Sequence, residues 1–178
     1  MADRKVVLYI AMSLDGYIAK PNDDISFLST VEEAGQDYGY GAFVKSVDTV
    51  IVGRKTYDKI ISMGFEFPHS DKETYVITRS PRPDGGSIKF YTGDLKQLIL
   101  KIKSKPGQNI YCDGGAEIVD ALLQEKLFDE LIISVIPILL GNGIKLFKDG
   151  RPEQYLKLLS IKSFNKGLTQ LHYRCESN

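Results

Sequence analysis

The stretch Ile110-Tyr111-Cys112-Asp113-Gly114-Gly115-Ala116-Glu117-Ile118-Val119-Asp120-Ala121-Leu122-Leu123 decides how the rest of the chain is read. A short apolar run leads in, two glycines turn it, and Ile118, Val119, Leu122 and Leu123 then recur at helical spacing. The pattern predicts a strand, a tight turn and a helix. Adjacent glycines let a bound group approach the backbone, and the helix behind them offers free N–H groups and the positive end of its dipole. That suits a pyrophosphate. It is also the pattern of an ordinary βα turn, so its meaning depends on what the neighbouring stretches supply.

Working outward, Val6–Ala11, Val47–Val52, Thr74–Thr78, Ile88–Tyr91 and Asn109–Cys112 read as strands, the first two apolar enough to be buried on both faces. A helix is expected from Gly53 to about Ser62. Asp94 caps another that runs to about Ser104, with Leu95, Leu98, Ile99 and Ile102 as its apolar stripe. Phe27–Ser46 is mixed, with helix expected in its later part. Downstream, Leu131–Ile138 is an almost wholly apolar strand, and Leu139–Phe147 is a loop whose Gly141-Asn142-Gly143 reads as a turn. Tyr155–Phe164 and Leu168–Arg174 alternate around Asn165-Lys166-Gly167, a hairpin signal. Strands that alternate with helices and close on a hairpin predict one α/β domain over residues 1–178. Its sheet should be mainly parallel, with an antiparallel C-terminal edge.

The 23 basic and 23 acidic side chains cancel, which removes the charge excess that draws a chain to nucleic acid or a membrane surface. No apolar run is long enough to span a bilayer, and Val6–Ala11 is too short for a leader, so the expected location is cytoplasmic. Cys112 and Cys175 are the only cysteines, His69 and His172 the only histidines, and none falls at metal-ligand spacing; no metal site is expected. His69 reads as part of a polar loop, His172 as part of an alternating strand, and Cys112 as a small buried filler.

In an open α/β sheet, ligands sit beyond the carboxyl ends of the strands. Three such ends carry suggestive chemistry. Gly53-Arg54-Lys55-Thr56 sets a glycine, two cations and a hydroxyl at a helix start; Thr78-Arg79-Ser80 flanks a guanidinium with hydroxyls; and Gly114-Gly115 ends the fifth strand. Parallel strands gather these loops at one edge, where the cations of two can face the anion cradle of the third.

Val6–Ala19, with its Ser13-Leu14-Asp15-Gly16-Tyr17-Ile18-Ala19 ending, resembles the first strand and loop of the dihydrofolate-reductase-like superfamily. The likeness is strongest to the branch that holds the reductase domain of bifunctional riboflavin-biosynthesis proteins. Val52–Tyr57 and Tyr111–Glu117 resemble that superfamily's two NADPH-binding loops, and Asp129–Phe147 the branch's late strand and loop. The resemblance implies a three-layer dihydrofolate-reductase-like fold and NADPH. It places Ala11, Ile18 and Ala19 beside the nicotinamide, and Gly53, Arg54, Lys55 and Thr56 on the phosphates. Thr78, Arg79 and Ser80 fall at the 2′-phosphate end, and Gly114, Gly115, Ala116, Glu117 and Ile118 around the pyrophosphate. It also implies a cis Gly114–Gly115 peptide and a homodimer.

Asp15 matches the branch's Ser-Leu-Asp-Gly aspartate. It can orient a substrate hydroxyl or relay a proton, or else shape the turn through its own hydrogen bonds. The substrate side departs from both patterns. Candidates for a substrate-binding acid are Glu32, Glu33 and Asp37, while the folate-tail arginine has at best Lys72 in its place. Pro21–Val50 holds one basic residue, Lys45, against six acids, a poor lining for a phosphorylated ligand. The expected activity is NADPH-dependent reduction of a small, uncharged, pteridine- or pyrimidine-like substrate. The alternative is a non-catalytic NADP(H)-binding module on the same fold.

Overall fold

A computed structural model describes residues 4–176. The elements follow as β1 (Val6–Ser13), β2 (Tyr17–Ala19), α1 (Tyr40–Val44), β3 (Val47–Gly53), α2 (Arg54–Ser62), β4 (Glu73–Ile77), β5 (Ile88–Tyr91), α3 (Leu95–Lys103), β6 (Asn109–Gly114), α4 (Ala116–Gln124), β7 (Glu130–Ile136), β8 (Ile144–Lys145), β9 (Leu156–Ser163) and β10 (Thr169–Cys175). Eight strands form one sheet in the order β5-β4-β3-β6-β1-β7-β10-β9. The first six run parallel, and β10 runs antiparallel to both of its neighbours, β7 and β9. This is the mainly parallel sheet with a C-terminal hairpin that the alternation of elements predicts.

Helices on both faces make the central strands continuously apolar. On one face, Leu98, Ile99 and Ile102 of α3 and Val119 and Leu122 of α4 pack on Leu8, Ile51, Ile110 and Cys112. On the other, Tyr40 and Phe43 of α1 and Tyr57 and Ile60 of α2 cover Val50, Val52, Val76 and Tyr111. Ile99, Leu122 and Leu8 have no exposed surface, and each such side chain contributes about 1.5–3 kcal/mol by leaving water. Asp94 caps α3 as expected, its Oδ1 accepting from the Gln97 N–H at 2.8 Å.

One stretch matches the sequence reading only in outline, and another adds to it. Between Phe27 and Ser46 the helix is confined to a 3-10 turn, Ser26–Val31, and the five residues of α1. Gly35 and Gly39 take left-handed φ values of 78° and 87°. Asp37 accepts the N–H groups of Gly39 and Gly41 at 2.8 and 3.0 Å, so a local turn wins over a longer helix. The loop 139–147 contains β8, two residues long, which pairs antiparallel with β2. Gly143 permits that pairing: a Cβ there would stand 2.1 Å from the Ala19 carbonyl oxygen.

Candidate functional site

The parallel register of β1, β6, β3 and β4 brings their carboxyl ends, and the loops that follow them, to one edge of the sheet. Two helices start there without a side-chain cap, α2 after Gly53 and α4 after Gly115. The loops touch. A Cβ at Gly53 would lie 3.1 Å from Ile118 Cγ1 and 3.6 Å from the Gly115 nitrogen, and a Cβ at Gly115 would lie 3.0 Å from Thr56 Oγ1. Only glycine keeps this junction bare backbone, and the Gly114–Gly115 peptide is cis. Gly53, Thr56, Gly114, Gly115 and Ile118 thus form one surface, with the dipole of each helix pointing into it.

Cations ring it. The Lys148 ammonium, 2.7 Å from Glu117, holds that carboxyl below the usual range, and the charges of Lys55 and Arg79 act in the same direction. Lys55 and Arg79 are exposed and have no ion-pair partner among the described residues. Arg54 is differently placed: its guanidinium pairs with Asp58 at 3.0 Å, one turn along α2. Arg82, beyond the stretch assigned from sequence, takes the same carboxylate through two bonds of 2.7 and 3.0 Å and lies over the Phe90 ring. Two guanidiniums on one carboxylate leave a net positive charge beside the cradle. Thr78 is buried and its hydroxyl accepts the Ser80 N–H, which shapes the turn carrying Arg79 outward. Two uncapped helix ends, a glycine-lined junction and unpaired cations fit a pyrophosphate-bearing cofactor.

Ala11 lies half-buried in the second half of β1, Ile18 packs against the core and Ala19 is almost fully buried in β2. Asp15 is exposed and fully engaged: Oδ1 accepts from the Ser13 hydroxyl at 2.6 Å and the Leu140 N–H at 3.0 Å, and Oδ2 from the Gly141 N–H at 2.7 Å. The Ser13 bond foremost, with the two backbone donors, pulls its carboxyl down to about 2. This geometry fits the turn-shaping role and leaves Asp15 no proton to give at neutral pH.

Beside β1 opens a cleft of about 680 Å³, walled by Tyr9, Ala11, Val31, Tyr40, Ser134 and Leu168 among others. Glu32, Glu33 and Asp37 all line it, and no lysine or arginine does. They are not equivalent. Asp37 is spent on the turn before α1, and the backbone N–H groups of Gly39 and Gly41 lower its pKa. Glu32 is exposed. Glu33 is half-buried, with Oε2 buried and without a partner among the described residues and Oε1 only 3.4 Å from Asn165. The floor is polar at a point sequence did not mark. Gln170 Nε2 stands 3.1 Å from the Tyr9 hydroxyl, 3.2 Å from the Tyr38 carbonyl oxygen and 3.1 Å from Ser134 Oγ. Pairwise register puts Tyr9, Ser134 and Gln170 on one face of adjacent strands, which only the sheet order reveals.

Asp113, the penultimate residue of β6, lies on that same face, immediately before the cradle. Its Oδ1 accepts from the Tyr111 hydroxyl at 2.8 Å, and Oδ2 has no partner among the described residues. Burial pushes its carboxyl up from 3.8 to about 6, against the smaller lowering by Tyr111. Asp113 also raises the pKa of Tyr40, which lines the cleft, to about 12, second to burial itself. The half-buried acid therefore adjoins the glycine junction in sequence and acts electrostatically on a residue that lines the cleft. The sequence held it in the opening motif, yet nothing in the spacing separated it from an ordinary strand-end aspartate.

The family model for the RibD C-terminal domain matches residues 4–170. The chain is 42% identical over 172 residues to the protein called uncharacterized protein YwjB of Bacillus subtilis (strain 168), covering 96% of this chain and 98% of that one. Among solved structures, a Shewanella sp. PV-4 protein named for riboflavin biosynthesis superposes with a TM-score of 0.88 at 29% identity, over 97% of this chain and 99% of that chain. The Thermotoga maritima diaminohydroxyphosphoribosylaminopyrimidine deaminase/5-amino-6-(5-phosphoribosylamino)uracil reductase superposes at 0.72 and 15% identity, over 97% of this chain and 57% of its own.

Proposed function

The chain belongs to the RibD C-terminal domain family, and from that premise we propose that it is an NADPH-dependent reductase of a small, uncharged, N–H-rich heterocycle. The observation that carries the reading is the juxtaposition, at consecutive residues, of a half-buried acid, Asp113, whose charge reaches the cleft residue Tyr40, and an anion cradle, Gly114–Ile118.

Gly53, Thr56, Gly114, Gly115 and Ile118 would hold the pyrophosphate against bare backbone, with Lys55 supplying a charge-assisted bond. Arg79 would face the 2′-phosphate end between Thr78 and Ser80, with Arg54 and Arg82, steadied by Asp58, adding positive charge beside it. Bound NADPH supplies the hydride. The substrate is a C=N or C=O group: its carbon takes the hydride pair, and its nitrogen or oxygen takes a proton. Asp113 Oδ2 holds that proton and becomes carboxylate, and a carboxyl near 6 is placed to be refilled from water. The unpartnered Glu33 oxygen accepts from a ring or amino N–H of the substrate. A cleft lined by three acids and, among the described residues, by no lysine or arginine disfavours a phosphorylated one.

We also propose a single cytoplasmic domain that forms a homodimer through β9. That strand ends the sheet and exposes Leu156, Leu158, Leu159 and Ile161 by 41–59%. No helix among the described residues is long and apolar enough to cross a membrane.

The test is NADPH fluorescence titration, then NADPH absorbance in the presence of dihydropteridine and aminopyrimidinedione probes. Turnover that falls on the order of 10²-fold or more in Asp113→Asn, with NADPH affinity kept, is expected. NADPH binding without turnover of any probe favours the non-catalytic module, and no binding removes the reading.

A further inference from the structure

His69, which reads from sequence as part of a polar loop, is only 3% exposed. It stands among the rings of Phe67, Tyr111 and Tyr40, at centroid distances of 5.5, 5.6 and 6.4 Å. Its Nε2 is 3.1 Å from the Tyr40 hydroxyl, and its Nδ1 is buried with no partner among the described residues. Burial, reinforced by Lys72 and opposed by Asp71, holds its pKa below the usual value and favours the neutral ring. A neutral imidazole carries one N–H, and two tautomers compete. With hydrogen on Nδ1, a buried donor would be orphaned; with hydrogen on Nε2, only a lone pair is. Protein interiors tolerate an unpaired acceptor somewhat better than an unpaired N–H donor.

The choice has a direction built into it. A hydrogen on Nε2 points at the Tyr40 oxygen and frees the Tyr40 hydrogen to turn the other way. Tyr111, whose ring lies 6.3 Å from that of Tyr40, is the next hydroxyl, and Tyr111 donates to Asp113. The titratable groups facing Asp113 are Tyr111 on its own strand and Tyr40 on α1, with Tyr9 on β1 beyond them and Asp37 beside Tyr9. We propose that His69 is a positioning residue of this site: by donating from Nε2 to Tyr40 it orders the Tyr40 and Tyr111 hydroxyls into one row of donors aimed at Asp113. The row gives the buried His69 N–H an acceptor and leaves only the Nδ1 lone pair without a partner among the described residues. It also couples a residue of the β4 side of the sheet to the acid beside the cradle.

The significance of this row rests on the reading of Asp113 as the acid of the site, but its test needs no substrate. The chain has two histidines, so ¹⁵N spectra of histidine-labelled protein are assigned with His172→Gln alone. The expected result is a neutral His69 with hydrogen on Nε2 at about pH 7–8; hydrogen on Nδ1, or an imidazolium in that range, overturns the proposal. Titration of ¹³C-labelled aspartate, assigned with Asp113→Asn, then follows Asp113 itself. His69→Phe keeps the ring and removes the donor, and should raise the Asp113 midpoint by roughly 0.3–1 pH unit as the row loses its end. His69→Gln restores a donor and should bring the midpoint back. An unmoved midpoint in His69→Phe, or no recovery in His69→Gln, overturns the proposal. An Asp113→Asn protein that still reduces its substrate would remove the acid reading while leaving the His69 tautomer and the midpoint shift in place.

Discussion

Replacing Asp113 by asparagine should stabilise the protein at alkaline pH and not at acid pH. Burial raises this carboxyl from 3.8 to about 6, so the folded chain binds the proton more tightly than the unfolded one does. Stability from this source is therefore complete below 3.8 and lost as pH rises through 6, the sign expected for an acid whose folded pKa is raised. At about 1.36 kcal/mol per unit the loss is roughly 3 kcal/mol at pH 8. Since Asp113 is half-buried, water recovers part of that, and roughly 2–3 kcal/mol is the working range. Asparagine avoids the ionisation and still accepts from Tyr111, though a neutral acceptor gives up about 1 kcal/mol. The net gain is about 1–2 kcal/mol at pH 8, or a Tm higher by about 2–8 °C for a chain of this size. Thermal unfolding of both proteins by circular dichroism at pH 4, 6 and 8 reads this directly. If the variant is no more stable than the parent at pH 8, or if its advantage is the same at pH 4, Asp113 is not held away from water and cannot be the poised acid.

Arg79→Ala should weaken NADPH about tenfold or more and NADH much less, because one desolvated charged contact is worth about 1.5–3 kcal/mol; parallel fluorescence titrations decide it, and equal losses would remove the phosphate assignment. Gly115→Val brings a side chain against Thr56 Oγ1, which a Cβ alone approaches to 3.0 Å. It should weaken NADPH far more than it lowers the Tm of the cofactor-free protein, and normal binding would sink the cradle. Light scattering should show a dimer at micromolar concentration that Leu158→Glu with Ile161→Lys turns into a monomer of about the 19.9 kDa chain mass. A monomeric parent ends the β9 proposal.

What sequence reveals here divides along the sheet. The order of elements, the cap at Asp94 and the pairing of glycines with cations at three strand ends are local patterns, each set by residues within a few positions of one another. The cradle inherits that legibility because parallel strands bring such loops to one edge whatever the details. The substrate side has no local pattern to read. Tyr9, Ser134 and Gln170 come from strands up to 161 residues apart and share a face only through the order β1-β7-β10. The three acids Glu32, Glu33 and Asp37 are indistinguishable by spacing, and hydrogen bonding separates them: Asp37 is consumed by Gly39 and Gly41, while Glu33 keeps an oxygen without a partner among the described residues. Asp15 and Asp113 show the same division more sharply. Both precede a glycine at a strand end, and sequence favours Asp15 because its motif resembles a known one. Three donors then fix Asp15 as a carboxylate, whereas Asp113 has one neutral donor and lies partly out of water. Desolvation and the number of donors, neither visible in a linear motif, decide which aspartate can hold a proton. The cofactor half of such a site is therefore recoverable from the chain, and its acid has to be found in three dimensions.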